Sequence, residues 1–293
     1  MKILIVGDKA VWAIENHYLE HLKSKDITCE IFAAGYIFRK NYHSIFQKVR
    51  HKFWPTLLYK KINRQLLQYF KTFQPDVVWV FKGMEILPAT LKKLKEQNIF
   101  LVNYNPDHPF ILSSKGSGNA NVINSIHLYQ LHYSYHPDVV KQINENYSIP
   151  CKMLPFAFHH QGFDFGFMPK EEIVETAFVG NPDDIRKKII LYLANNGIKV
   201  NVYGHSWRKH LPENKNIKVH DAVYQQELWL TLQKYRLQLN IFRDHNIGAH
   251  NMRTFEIPSV GGIMLAPKNE QHCSFFEPDK EACFFKTNVE LLK

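Results

Sequence analysis

The sequence predicts an α/β chain of two Rossmann-like parallel-sheet domains facing one another across a cleft, residues 1–160 and 161–293. Three observations carry this expectation. Short apolar runs alternate with helical patterns, the alternation pauses at a stretch rich in Gly, Pro and aromatics, and it then restarts. A length of 293 residues suits one large or two ordinary domains.

The run KILIV at 2–6, ending in Gly7, reads as a first parallel strand, and helix-like spacing follows over 11–25. Further strands are expected at 28–33, 76–81, 100–104 and 126–133. A helix is expected over 88–98, where Pro88 suits the first helical position. The stretch LPFAFHHQGFDFGFMPKEE, 154–172, has neither period over most of its length and reads as a linker. Beyond it, strands are expected at 175–179, 199–203, 237–242, 262–265 and 281–285. Helices are expected at 182–196, 224–235 and about 251–260.

Composition narrows the function classes. Apolar residues make up 45% and charged residues 22%, an ordinary globular balance. No apolar run approaches the ~18 residues of a membrane span, and the start MKILIVGDKA lacks a signal-peptide pattern, so a cytoplasmic location is the default. Cys29, Cys151, Cys273 and Cys283 are scattered without C-x-x-C spacing and read as reduced thiols. The net charge of +10 is concentrated: 31–75 carries nine Lys and Arg (Arg39, Lys40, Lys48, Arg50, Lys52, Lys60, Lys61, Arg64, Lys71) and no Asp or Glu, interleaved with aromatics. Such a segment is either a solvated helix face with its aromatics turned inward, a peripheral membrane contact, or a weaker candidate for nucleic acid.

Ligands of open α/β sheets bind beyond the carboxyl ends of the strands, and three loops of one kind occupy such positions in the second half. FVGNPDDIR places Gly180 and Asn181 after a strand, with Arg186 about one turn into the next helix. VYGHSW repeats the arrangement at Gly204. FRDHNIGAHNMRTFE, from Arg243, Asp244 and His245 through Gly248 to Asn251, Met252 and Arg253, leads into a helix start suited to phosphate. Asn251 is expected as N-cap and Arg253 as a forked donor. Glu256 follows three residues later on the same face, suited to paired ribose hydroxyls or else to an internal ion pair with Arg253.

With NMRTFEIPSVGGIML, the upstream FVGN and VYG loops and the downstream FFEPDKEACFF, the chain resembles the CgeB-like glycosyltransferases and, more broadly, the GT-B glycosyltransferases. The resemblance is strongest over about 175–285; in the first half it rests on the strand start and NYNPDHPF. It implies a nucleotide-sugar donor, UDP-sugar foremost, in the second domain, with Glu256 holding the ribose, and a glycan, lipid-linked or protein acceptor over the first. The wider GT-B pattern carries another glutamate eight residues before Glu256, where this chain has Gly248, so a retaining mechanism does not carry over. The sugar-reading role stays open among Asp244, His245 and His250. The chain also ends at NVELLK, short of the long C-terminal helix the resemblance would supply, which leaves a shortened C-terminus open.

Asp107 and His108 in YNPDHPF, flanked by prolines after a strand, are the candidate catalytic bases, with Asp8 and His17 as weaker alternatives; Asp107 could instead cap a turn. No D-x-D run lies near a strand end, so no metal and no cofactor is expected, and Arg253, Arg243 and Arg186 would neutralise the leaving diphosphate. No P-loop, G-x-S-x-G elbow or G-x-G-x-x-G occurs, which argues against ATPases, esterases and dinucleotide oxidoreductases. The rivals are a non-catalytic membrane- or nucleic-acid-docking protein with a degenerate sugar site, and a nucleotide-sugar epimerase of the same two-domain plan.

Overall fold

Each half of the chain winds its own six-stranded, wholly parallel sheet. The structure, a computed structural model, describes residues 1–111, 118–160, 162–163 and 172–293, without the side chains of Arg50, Pro55 and His245. The two compact units are Met1–Pro155 and Phe156–Lys293. The division falls inside the expected linker, five residues before 160. Residues 156–160 join the second unit because the Phe156 N–H donates to His250 Nε2 at 2.9 Å and the His160 ring packs edge-on against Trp229. Residues 161 and 164–171 of that linker lie outside the described residues.

The first unit runs β1 (Lys2–Val6), α1 (Ile14–Ser24), β2 (Thr28–Phe32), α2 (Ala34–Lys40), α3 (Ile45–Phe53), α4 (Pro55–Phe73), β3 (Val77–Phe81), α5 (Pro88–Lys95), β4 (Phe100–Asn105), α6 (Ala120–Ser125), β5 (Leu131–Ser134), α7 (Pro137–Asn146) and β6 (Cys151–Met153). Alternation along the strands sends side chains to both faces. Leu4, Val6, Val78 and Val80 pack against Ile62 and Leu66 of α4 and Leu91 and Leu94 of α5. Ile3, Ile5 and Tyr104 meet Tyr18, Leu19 and Leu22 of α1. The expected strand at 126–133 is corrected: a 3-10 turn occupies Ile126–Leu128, and the strand starts at Leu131. Ile126 and Leu128 are buried as core beneath helices, so their apolar character mimicked a strand.

The second unit runs β7 (Thr176–Val179), α8 (Asp184–Asn195), β8 (Val200–Tyr203), α9 (Trp207–His210), β9 (Ile217–His220), α10 (Gln225–Gln233), β10 (Leu237–Leu239), α11 (Arg253–Ser259), β11 (Ile263–Pro267), α12 (Glu270–Phe275), β12 (Cys283–Phe285) and α13 (Asn288–Leu291). Phe178, Val202 and Leu239 pack on Ile189, Ile190 and Leu193 of α8, while Val179 and Tyr203 point to Leu228, Trp229 and Leu232 of α10. All four cysteines are free thiols. No helix among the described residues is long and apolar enough to cross a membrane.

The strand orders locate the crevices. The sheets read β2-β1-β3-β4-β5-β6 and β12-β11-β10-β7-β8-β9. Chain progress reverses between β1 and β3 in the first and between β7 and β10 in the second. Loops leaving adjacent strands diverge at such a point and open a ligand crevice at the carboxyl ends.

Candidate functional site

In the second unit, one arginine straddles the reversal. Asp183 caps α8 by accepting the Arg186 N–H at 3.0 Å. The Arg186 guanidinium then donates from Nε to the Ile241 carbonyl at 3.0 Å, just past β10, and from Nη1 to the Asn181 carbonyl at 2.9 Å, just past β7. Its Nε also lies 3.3 Å from Asp183 Oδ2, and the group rests over the Phe178 ring at 5.4 Å. The loops after β7 and β8 are locked together as well. The Trp207 indole donates to the Gly180 carbonyl at 2.7 Å, and the His205 N–H donates to Asn181 Oδ1 at 3.0 Å. Gly204 permits this approach, because a Cβ there would stand 2.3 Å from the Gly180 oxygen.

Arg253 and Glu256 stand one turn apart on α11 and form an ion pair whose carboxylate is buried and whose guanidinium is part-buried. The Glu256 side chain is 3% exposed. Arg253 Nε is also buried and finds no acceptor among the described residues. Burial, reinforced by the nearby Arg186 charge, pulls the Arg253 guanidinium down to about 10. Burial likewise brings Arg186 to about 10, with Asp183 opposing and Arg243 adding to the effect. Arg186, Arg243 and Arg253 thus share one field, an anion-seeking arrangement.

The surrounding loop divides between scaffold and surface. Asn251 Oδ1 accepts the Thr254 N–H at 3.2 Å, a capping contact, while Met252 occupies the formal cap position without a side-chain bond. Asp244 is exposed and Arg243 half-buried; the side chain of His245 lies outside the described residues. Gly248 has φ +85° and faces open space, so its glycine answers a left-handed backbone and not a packing limit. His250 is fully buried, accepting from Phe156 and bonded through Nδ1 to Gln271 Oε1 at 2.7 Å, which makes it scaffold.

In the first unit the charged cluster also sits at the reversal. The Glu15 carboxyl, from α1, lies over Gly7, where a Cβ would stand 2.4 Å from Oε1, and it accepts the Asp8 N–H at 3.0 Å. Burial pushes it up to about 7; its own N–H and that of Asp8 work against the shift, the Asp8 charge adds to it, and Lys82 again opposes. Burial likewise raises Glu85. Asp8 is gripped by Arg39 through both carboxylate oxygens; burial would raise it, yet that grip holds it below the usual range. Lys82 has φ +56°, a left-handed backbone rare for lysine, and Asn103 pins it by donating to the Val80 and Lys82 carbonyls at 3.0 and 3.3 Å. Lys82 is ion-paired with Asp107. The turn-former there is Asn105, whose Oδ1 accepts the Asp107 N–H at 3.0 Å. His108 is buried and meets His136 edge-on at 4.8 Å.

Residues 186–293 match the family described as Glycosyl transferase-like. Similar solved structures include a UDP-GlcNAc 2-epimerase from Neisseria meningitidis bound to UDP-GlcNAc (TM-score 0.56, 14% identity, 94% of this chain and 85% of that one). A lipopolysaccharide outer core galactosyltransferase, WaaB, in its apo form aligns at TM-score 0.61 and 11% identity over 100% and 88% of the two chains. A trehalose-6-phosphate synthase aligns at 0.63 and 10% over 100% and 89%. The fold is GT-B. At these identities the likeness is one of fold alone. Comparison with curated protein sequences finds no match.

Within this GT-B chain the 186–293 match begins at Arg186 itself and takes in the loops that carry Gly204, Arg243, Arg253 and Glu256. Sequence reasoning missed two features. One is the buried polar chain behind α11: Asn240 Nδ2 donates to Thr254 Oγ1 at 3.1 Å, Asn251 Nδ2 donates to Asn240 Oδ1 at 2.8 Å, and His272 Nε2 meets Thr254 Oγ1 at 3.2 Å. Its signal was the polar pair Gln238 and Asn240 inside the apolar run LQLNIF. The other is Glu15, whose only signal was an acid in the first turn of the helix that follows the strand-ending glycine, eight residues on.

Proposed function

We propose that the chain is a glycosyltransferase that moves a sugar from a nucleoside diphosphate, UDP foremost, to an acceptor hydroxyl without a metal ion. The observation that carries this reading is the part-buried Arg253 guanidinium, held by Glu256, with an unsatisfied Nε and with Arg186 in its field, which in turn feels Arg243. A diphosphate at the exposed part of this side chain would supply the missing negative charge, and the cluster of arginines would fill the role a metal otherwise fills. Glu256 would accept from the ribose hydroxyls. The NMRTFE run and its flanking loops favour the CgeB-like branch.

In the transfer, the acceptor oxygen bonds to the anomeric carbon, the bond from that carbon to the phosphate oxygen breaks, and the electron pair leaves on the diphosphate. The acceptor proton passes to a general base. Glu15, buried like His108 but pushed up by that burial to about 7, has the protonation behaviour a general base needs, and Asp107 is tied to Lys82. A second reading, nucleotide-sugar epimerisation, draws support from the fold likeness to UDP-GlcNAc 2-epimerases. It predicts conversion of the nucleotide sugar with no acceptor present.

The test is melting temperature against UDP, GDP, ADP, CMP, TDP and their common sugars. A ligand at a hundredfold over its Kd adds ~2.7 kcal/mol to stability. One nucleotide series should raise the melting point, and Glu256→Gln and Arg253→Lys should lose most of the rise while still folding. Glu256→Ala is a poorer probe, because leaving the part-buried Arg253 charge without its partner is itself destabilising. Silence of the parent protein across the panel would overturn the reading.

A further inference from the structure

Helix α3 is amphipathic the wrong way round for a soluble protein. Ser44 and Gln47 fix its start as a capping box: Ser44 Oγ accepts the Gln47 N–H at 3.2 Å, and Gln47 Oε1 accepts the Ser44 N–H at 3.1 Å. The residue it turns inward is polar. The His51 ring is caged edge-on by Phe38, Tyr42 and Tyr59 at 5.1–5.4 Å. Its apolar residues point out. Ile45 is 82% exposed, Phe46 75% and Phe53 66%, with Val49 exposed between them, and positions 45, 46, 49 and 53 share one helical face. Trp54, 60% exposed, and Leu57 at the start of α4 extend the ridge. Isolated exposed apolar residues mean little, but a contiguous ridge of six marks a contact surface.

Charge selects the partner. Lys48 and Lys52 are exposed on α3, and Lys60, Lys61 and Arg64 on α4, and 31–75 holds no acid to offset them. Lysine stems lie along apolar surface with the ammonium in water, and tryptophan favours the headgroup level. We infer that the α3 ridge, Ile45 to Leu57 with its lysine flank, docks on an anionic lipid bilayer and holds the first unit at the membrane surface. No residue of the donor cluster takes part, so the inference stands whether or not the donor reading does.

The full chain should co-sediment with phosphatidylcholine vesicles containing about 30% phosphatidylglycerol, far less with phosphatidylcholine alone, and less again as NaCl rises past ~0.3 M. Phe46→Ser and Trp54→Ser should each weaken vesicle affinity by on the order of tenfold, and Lys48→Glu with Lys52→Glu by a similar factor. The altered side chains are exposed, so Phe46→Ser and Trp54→Ser should keep the parent's melting temperature, and the paired lysine reversal should not lower it. Failure to bind anionic vesicles overturns the inference. So does binding that Phe46→Ser and Trp54→Ser leave intact, which would place the contact elsewhere. Self-association or duplex nucleic-acid binding abolished by these variants, without vesicle binding, would assign the ridge to that partner instead.

Discussion

At the scale of single residues, the reversal points of the two sheets each hold a charged group displaced from its ordinary protonation behaviour. Arg186 and Arg253 stay cationic at neutral pH even at about 10, but Glu15 at about 7 does not stay fixed. Its ordinary value is 4.5, so between 4.5 and 7 the folded chain holds a proton that the unfolded chain has lost. Stability from this group is complete below 4.5 and is lost as pH rises through 7. Glu15→Gln removes that loss while keeping an acceptor for the Asp8 N–H. The variant should match the parent near pH 4 and exceed it by ~2–3 kcal/mol near pH 8 in denaturant titrations. A constant difference across that range would show that Glu15 does not titrate there. The placement of Arg253, Glu256, Arg186 and the strand-end glycines at helix starts and strand ends was legible in the sequence, because each stands at a fixed offset from an apolar run. Glu15 was not, since an acid on an amphipathic helix looks the same whether it faces water or folds back over Gly7.

At the scale of elements, the strands of both sheets were legible as buried apolar runs, and the loops after them carry the candidate site. What did not transfer was the fate of residues whose burial depends on neighbours. The run 126–133 is apolar because a 3-10 turn packs into the core, and α3 is apolar on a face that nothing among the described residues of the first unit covers. Loop register depends on single contacts of the same kind. The β8 loop closes on the β7 loop only because Gly204 leaves room for the Gly180 oxygen, which also receives the Trp207 indole. Gly204→Ala should therefore push the two loops apart, lose the buried Trp207 hydrogen bond and cost ~2–3 kcal/mol, read as a lower melting temperature and altered tryptophan fluorescence. A neutral substitution would mean that the two loops are not held this way.

For the molecule as a whole, charge is divided as unevenly as chemistry. Residues 1–155 hold 20 of the 37 Lys and Arg but only 11 of the 27 Asp and Glu, so they carry +9 of the net +10. The segment 31–75 concentrates nine positive charges with no acid, and its exposed lysines repel one another across spacings comparable to the Debye length, ~10 Å at 0.1 M salt. Opposing this, the exposed ion pairs, such as Arg208 with Asp221 and Arg236 with Glu172, are surface contacts that contribute little and lose little when screened. Repulsion should dominate the response to salt. Raising NaCl from ~20 to ~300 mM should raise the melting temperature of the parent. Lys48→Glu with Lys60→Glu, which seeds the segment with opposite charge, should be the more stable protein at low salt and should flatten the response. A melting temperature that falls with salt in the parent would mean that the ion pairs outweigh the repulsion, and that the basic segment is no source of strain in the free protein.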